Sequence, residues 1–249
     1  MTWMTKNNRR ELLRKHYLVT GYARERKVFQ LFKEPEKIAQ DKNYVKQLNY
    51  TLEEFATWYE NIENWALAGG ISLHLQLGKI VRKHGDFDIV VHESALPKIV
   101  EASEEQGYFL FKREAMFKFH PNSKHKEDIY YPLTAQEALE DRRPNRNLRL
   151  LNINQSGKIQ GRVTPIDIYL YHQESGVWIS NEDRLKDPDS YLENKHCRIK
   201  DRTIPVINLE HTKKRKESLV ERGTKNQVHQ FDLDLLKQYE KTLISHYVL

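Results

Sequence analysis

Between residues 5 and 60, apolar side chains recur at helical spacing. Leu12, Leu13, Tyr17 and Leu18 form one stripe, and Val28, Leu31 and Phe32 form a second, in a stretch whose only glycine is Gly21. Thr51-Leu-Glu-Glu reads as a capping box opening a helix that carries Phe55, Trp58, Tyr59 and Ile62. Two to four helices are expected here. From Trp65 the period changes. "WALAGG" reads as a short strand entering a glycine turn, Ile71 to Leu77 as a helix closed by Gly78, and "FDIVVHE" as a strand. Leu96 to Gln106 is an amphipathic helix closed by Gly107, and "YFLFKR" and "AMFKFH" alternate as two strands.

The pattern then weakens. Residues 121–161 are polar, basic and loop-rich, with a short helix expected at Thr134 to Glu140, because so long a connection without structure is unusual. The arginines Arg142, Arg143, Arg146 and Arg149 read as a surface loop. "RVTPIDIYLYH" is a strongly apolar strand with one charge, Asp167. Helices at Leu209–Glu221 and Gln230–Ile244 close the chain, joined by "RGTKNQ". The expected fold is therefore α/β (α+β): a small mixed sheet flanked by helices. Its expected divisions are a helical segment over 1–60, the core over 61–200 and a second helical segment over 201–249.

Composition changes this picture little. The chain of 249 residues is long enough to bury a substantial core, and its formal charge of +6 tilts the expected partners toward polyanions such as nucleotides or RNA. Cys197 is the single cysteine, which excludes an intrachain disulfide and a cysteine-rich zinc site. No apolar run approaches the length of a membrane span, and the N-terminus lacks a signal-peptide core, so a soluble, cytoplasmic protein is expected.

The candidate chemistry lies in "ALAGGISLHLQLGKIVRKHGDFDIVVHE". Asp86 and Asp88 are two apart on the expected strand, so both side chains leave one face. Ionised carboxylates among Phe87, Ile89 and Val90 are expensive unless compensated. Either they sit at a strand end without consequence or they hold a hard cation such as Mg²⁺. Gly69 and Gly70, followed by Ser72, expose backbone N–H groups where a strand meets a helix, a place suited to phosphate. Asp167 interrupts a second apolar strand, and its cost falls if it converges on the same cation.

With these residues on the page, "GGISLHLQLGKIVRKHGDFDIVV" resembles the nucleotidyltransferase superfamily. "R.HGDFDI" is similar to bacterial lincosamide and aminoglycoside nucleotidyltransferases, and "ALAGGISLHLQLG" to abortive-infection and toxin–antitoxin nucleotidyltransferases. The resemblance spans residues 65–110 and reappears at Ile166–Leu170. It implies that Asp86, Asp88 and Asp167 hold Mg²⁺, with Mn²⁺ as an alternative. It further implies that Gly69, Gly70 and Ser72 cradle the β/γ-phosphates of an NTP, and that Asp167 takes the acceptor's proton, with Glu93 the second choice. Arg82 and His84, just before the metal strand, are candidate triphosphate contacts, weighed evenly against an exposed loop. His74 departs from the resemblance, since many antibiotic-modifying relatives carry an acidic residue there.

The expected activity is transfer of NMP from NTP to an acceptor hydroxyl with release of pyrophosphate. The acceptor is a small antibiotic-like molecule or RNA, and an antitoxin-type protein partner is a further expectation of the resemblance. The alternative from another class is a non-catalytic nucleotide- or RNA-binding protein on a degenerate nucleotidyltransferase fold. Lys213, Lys214, Arg215 and Lys216, with Arg222 and Lys225 beyond them, are weighed as a face across a nucleotide cleft and as an ordinary solvated helix face, the latter by default. His120, His125, His172, His211 and His229 lack metal-ligand spacing and are assigned no role.

Overall fold

The computed structural model describes residues 42–116, 127–141, 147–154, 165–175, 177–180, 186–188, 195–221 and 227–247. The two helical stripes before residue 41, the arginines 142, 143 and 146, Arg222, Lys225, His120 and His125 lie outside the described residues.

The first described element is a helix, α1 (Lys42–Trp58). It starts well before Thr51, because Leu48 continues the buried face of Leu52 and Phe55 one turn upstream. The Thr51 hydroxyl donates to the Gln47 carbonyl at 3.1 Å inside the helix, so Thr51 does not open it. The strand β1 (Trp65–Leu67) leads into the helix α2 (Gly69–Gln76), which stops where Gly78 turns the chain at φ +70°. Next come β2 (Phe87–His92), α3 (Leu96–Glu105), closed by Gly107 at φ +83°, and β3 (Tyr108–Met116).

β3 runs from "YFLFKR" into the first two residues of "AMFKFH", whose residues 117–120 lie outside the described residues. Lys112 interrupts its alternation, yet is carried within β3 because its Nζ donates to Asp141 at 3.0 Å. The basic stretch after β3 is more regular than expected. It holds β4 (Glu127–Pro132), the helix α4 (Ala135–Glu140) and β5 (Asn147–Asn152). Thr134 caps α4 with a reciprocal Glu137 contact, as a capping box does. Then follow β6 (Ile166–Glu174), β7 (Val177–Ser180), β8 (Lys186–Pro188), β9 (Lys195–Ile199), β10 (Arg202–Val206), α5 (Leu209–Glu221) and α6 (Gln227–Tyr247).

Among the described residues the strands form one mixed sheet, in the order β4-β3-β5-β6-β2-β1-β10-β9, with β7 and β8 extending from β6. The pairs β2–β6 and β1–β10 are parallel. Alternation along each strand divides the sheet into two faces. One face presents Phe87, Ile89, Val91, Leu148, Leu150, Ile166 and Ile168 to α1 and α3, forming the main core. Phe55 of α1 meets Phe87 edge-on at 4.6 Å between ring centroids, which ties that helix to the centre of the sheet. The opposite face carries Asp88, Asp167, Tyr169 and Arg149. On this side α2 packs with α6 through Leu73, Leu77, Leu233 and Leu236, and Leu209 and Val220 of α5 pack against them. No described helix is long and apolar enough to cross a membrane.

Candidate active site

Sheet register builds the site. Asp88 stands directly beside Asp167 on the parallel neighbours β2 and β6, and Asp167 directly opposite Arg149 on β5. Adjacent strands are about 4.8 Å apart, so three charged side chains form a row across one face. Asp86 lies one residue before β2 and turns its carboxylate into the row. One oxygen from each of Asp86, Asp88 and Asp167 lies within 4.8 Å of the others, all three half-buried.

Such crowding has an electrostatic consequence. Burial, with the charges of Asp88 and Asp167 adding to it, pushes the Asp86 carboxyl up to about 8. Burial and the Asp167 charge also raise Asp88. Arg149 answers part of the negative charge. Its Nε and Nη2 donate to the two Asp167 oxygens, the latter at 2.7 Å, and its Nη1 donates to the Tyr130 hydroxyl at 3.2 Å. Arg149 is therefore a buried member of the site and not part of a surface loop. It sits between Leu148 and Leu150, a single charge in an apolar alternation, the same signal that marks Asp167.

The glycine turn abuts this row. Gly69 has φ +66°, and a Cβ there would lie 1.8 Å from Asp88 Oδ2. Only glycine fits both the backbone and the close approach. Gly70 is excluded from carrying a side chain by different neighbours, since its Cβ would meet Arg82 Nη2 at 2.2 Å and His84 Cε1 at 3.0 Å. Ala68 caps α2 without a side-chain hydrogen bond, and the first N–H groups of a helix have no partner within it. These donors, with the positive end of the helix dipole, favour an anion at the turn.

Ser72, in contrast, is fully buried, and its hydroxyl accepts from Gln76 Nε2 at 3.1 Å. The structure does not bring it to the cavity wall beside Gly69 and Gly70. Glu93 follows the far end of β2. Five residues of strand carry it roughly 16 Å from Asp88, so it is not a base for this site.

A cavity of about 190 Å³ opens beside the glycines, Asp86 and Asp88, and is closed on the far side by α5 and α6. That volume is below the roughly 300 Å³ of a typical small-ligand pocket, so it suits part of a nucleotide, such as its phosphates. Arg215 stacks on the Tyr169 ring at 4.3 Å, and Lys216 and His229 also line the wall. Burial and the Lys216 charge push His229 down to about 4. Lys216 is itself buried, which corrects its default reading as part of a solvated helix face.

Lys216 Nζ donates to Asp232 of α6 at 2.7 Å, and Arg82 donates to the same carboxylate through Nε at 2.8 Å and Nη2 at 2.7 Å. Burial would raise the Asp232 carboxyl. Hydrogen bonds from Arg82 and His74 and the Lys216 charge outweigh it and hold the group well below the usual carboxylate range. His84 lies 3.0 Å from His74, nitrogen to nitrogen. Burial, followed by the Arg82 charge, depresses His84 far below its ordinary value, and burial also lowers His74.

Sequence reasoning did not find Asp232, although a signal exists. Val228, Asp232 and Leu236 are spaced four apart on the buried stripe of α6, so Asp232 is a carboxylate at a core position.

Residues 41–137 match the family model of aminoglycoside-2''-adenylyltransferase. The match includes the glycine turn, Asp86 and Asp88, and stops before Asp167 and the two C-terminal helices. No curated protein matches the chain. Among solved structures, the lincomycin-bound lincosamide antibiotic adenylyltransferase LnuA aligns at 19% identity with a TM-score of 0.42, covering 78% of this chain and 96% of its own. A Thermotoga maritima protein assigned as a nucleotidyltransferase aligns at 15% identity with a TM-score of 0.41, covering 75% of this chain and 92% of its own.

Proposed function

We propose that this chain is a member of the nucleotidyltransferase superfamily and that it moves a nucleoside monophosphate from an NTP to a hydroxyl of a small, hydroxyl-rich acceptor. One observation carries the reading: carboxylates from two adjacent strands converge within 4.8 Å, directly beside a glycine turn that no side chain can occupy. The choice of a small acceptor is supported by the aminoglycoside description of the matching family model.

The donor set fits a divalent cation such as Mg²⁺ or Mn²⁺, because all its ligands are hard carboxylate oxygens and their mutual repulsion is relieved by positive charge. Asp86, Asp88 and Asp167 would hold it, and when bound it supplies Lewis-acid charge to the phosphate oxygens. The chain's own groups account for the remainder. Backbone N–H groups at Gly69 and Gly70 receive the β- and γ-phosphates, and Arg215 and Lys216 face them across the cavity. The acceptor oxygen attacks the α-phosphorus in line, the bond from that phosphorus to the bridging oxygen breaks, and pyrophosphate leaves with the electron pair. The acceptor's proton passes to Asp167, whose carboxylate Arg149 orients through both oxygens.

The test is transfer of label from each of four α-³²P-labelled NTPs, with Mg²⁺ or Mn²⁺, into an aminoglycoside and lincosamide panel and into a size-fractionated cell extract. Label in a small molecule, lost in Asp86→Asn, is the expected result. Label in RNA instead would replace the acceptor class. Intact nucleotide binding with no transfer to any fraction would leave a non-catalytic binder on the same fold.

A further inference from the structure

We propose that Asp232 is a positioning residue for the phosphate-binding turn: from the last helix it fixes Arg82 under Gly70 and Lys216 at the cavity wall. The proposal rests on the reading that this turn receives the triphosphate of an NTP.

The geometry begins with Arg82. Its Nε and Nη2 donate to Asp232, and its Nη1 donates to the Lys83 carbonyl at 3.0 Å and faces His84 Nδ1 at 3.3 Å. A guanidinium has five N–H donors and no acceptor, so a single N–H, on Nη2, is left over. That nitrogen is the atom lying 2.2 Å from where a Gly70 Cβ would be. Arg82 is thus held almost completely by protein groups and supports the turn from beneath. It is a brace for the phosphate site more than a free ligand in it.

The histidines extend the brace to α2. Because Arg82 can only donate, His84 Nδ1 accepts. His84 Nε2–H therefore donates to His74 Nδ1 at 3.0 Å, and this leaves His74 Nε2–H facing Asp232 Oδ1 at 3.5 Å. His74, His84 and Arg82 thereby form a chain that reaches Asp232 of α6 through the guanidinium, with a single tautomer for each imidazole. His84 Cε1 is the second atom pressed against Gly70.

Asp232 is 0% exposed and sits on an otherwise apolar stripe between Val228 and Leu236. Buried ion pairs of this kind contribute little net stability compared with apolar packing of the same volume. Stability alone is therefore a weak reason for a carboxylate here. Position is a stronger one, since two of its three cationic or imidazole partners, Arg82 and Lys216, border the cavity.

The test separates position from charge. Asp232→Glu keeps the charge and displaces the carboxylate by one methylene; Asp232→Asn keeps the shape and removes the charge. Calorimetric titration of the full chain with magnesium tripolyphosphate, the part shared by every NTP, reads both Kd and stoichiometry. The Kd is expected to rise about tenfold or more in each variant, with stoichiometry near that of the parent. A purely structural role would lower the stoichiometry, because fewer molecules fold, and leave Kd unchanged; that result overturns the proposal. Tighter binding by Asp232→Asn overturns it as well, since Asp232 would then be only a counter-charge. If circular dichroism shows Asp232→Glu unfolded, the Asn variant decides by the same criteria. A parent protein that takes no tripolyphosphate would refute the nucleotide reading itself, whereas parental binding with an unaltered variant Kd refutes the positioning role alone.

Discussion

Uptake of a divalent cation by this protein should release protons, by an amount the carboxylate row sets. Burial and the charges of Asp88 and Asp167 hold the Asp86 carboxyl at about 8 in the ion-free protein. At neutral pH it is therefore about nine-tenths protonated, and a hard cation binds only the ionised form. Binding of Mn²⁺ near pH 7 should expel roughly 0.9 proton from this group, and apparent affinity should fall about tenfold for each further pH unit lost.

The same proton bears on stability. Between the ordinary carboxylate value and about 8, the folded state holds a proton that the unfolded chain has released, so stability of the ion-free protein declines as pH rises through that window. Full expression of the shift would be on the order of 6 kcal/mol, a ceiling, because Asp86 is partly exposed and so screened by solvent. Below the window the full contribution is present; above it the contribution is gone, and added Mn²⁺ should restore it. The assay is Mn²⁺ calorimetry from about pH 6 to 9 in buffers of contrasting ionisation enthalpy, paired with thermal melts over the same range. Affinity that stays flat below pH 8, with no dependence on buffer enthalpy, would refute the claim that these carboxylates share one cation.

Other substitutions test other contacts. Gly69→Ala places a methyl 1.8 Å from Asp88 Oδ2 at a positive φ, so it should abolish cation uptake and lower the melting temperature; a variant with parental Mn²⁺ affinity would contradict the close approach. Arg149→Met removes the cation that occupies both oxygens of Asp167. At about pH 9, where Asp86 is ionised, it should bind Mn²⁺ more tightly while losing transfer, because Asp167 is no longer oriented; unchanged affinity and turnover would refute both effects. Phe55→Ala deletes the ring that meets Phe87 in the core and should cost about 3–5 kcal/mol in denaturant unfolding, with the cation site intact in the molecules that remain folded.

What a reader of the sequence recovers here is local. The turn at Gly69-Gly70, the strand bearing Asp88, the charge in "PIDIYL", and the helices closed by Gly78 and Gly107 all leave their mark within a few residues, through periodicity, glycine at a required φ, or a charge among apolar neighbours. The short helix Ala135–Glu140 is legible for the same reason, because its cap lies in Thr134 and Glu137. The start of α1 is not. Thr51 and the acidic residues after it mimic a cap, and only the packing of Leu48 shows that the helix passes through them. The strands β4 and β5 are concealed by charge: β4 opens on Glu127 and Asp128, and β5 carries Arg149, whose partner Asp167 stands on the adjacent strand.

The sequence by itself therefore singled out the members of the carboxylate row, since each of Asp86, Asp88 and Asp167 is costly where it stands. Only the tertiary structure decided who answers them. Register across β5, β6 and β2 sets Arg149 against Asp167, and helix packing brings Asp232 from 150 positions away onto Arg82. Partnerships of that kind depend on which strands pair and which helices meet, a choice made by the burial of the whole core. A charge in an apolar stripe announces that a partner exists; the fold alone supplies its name.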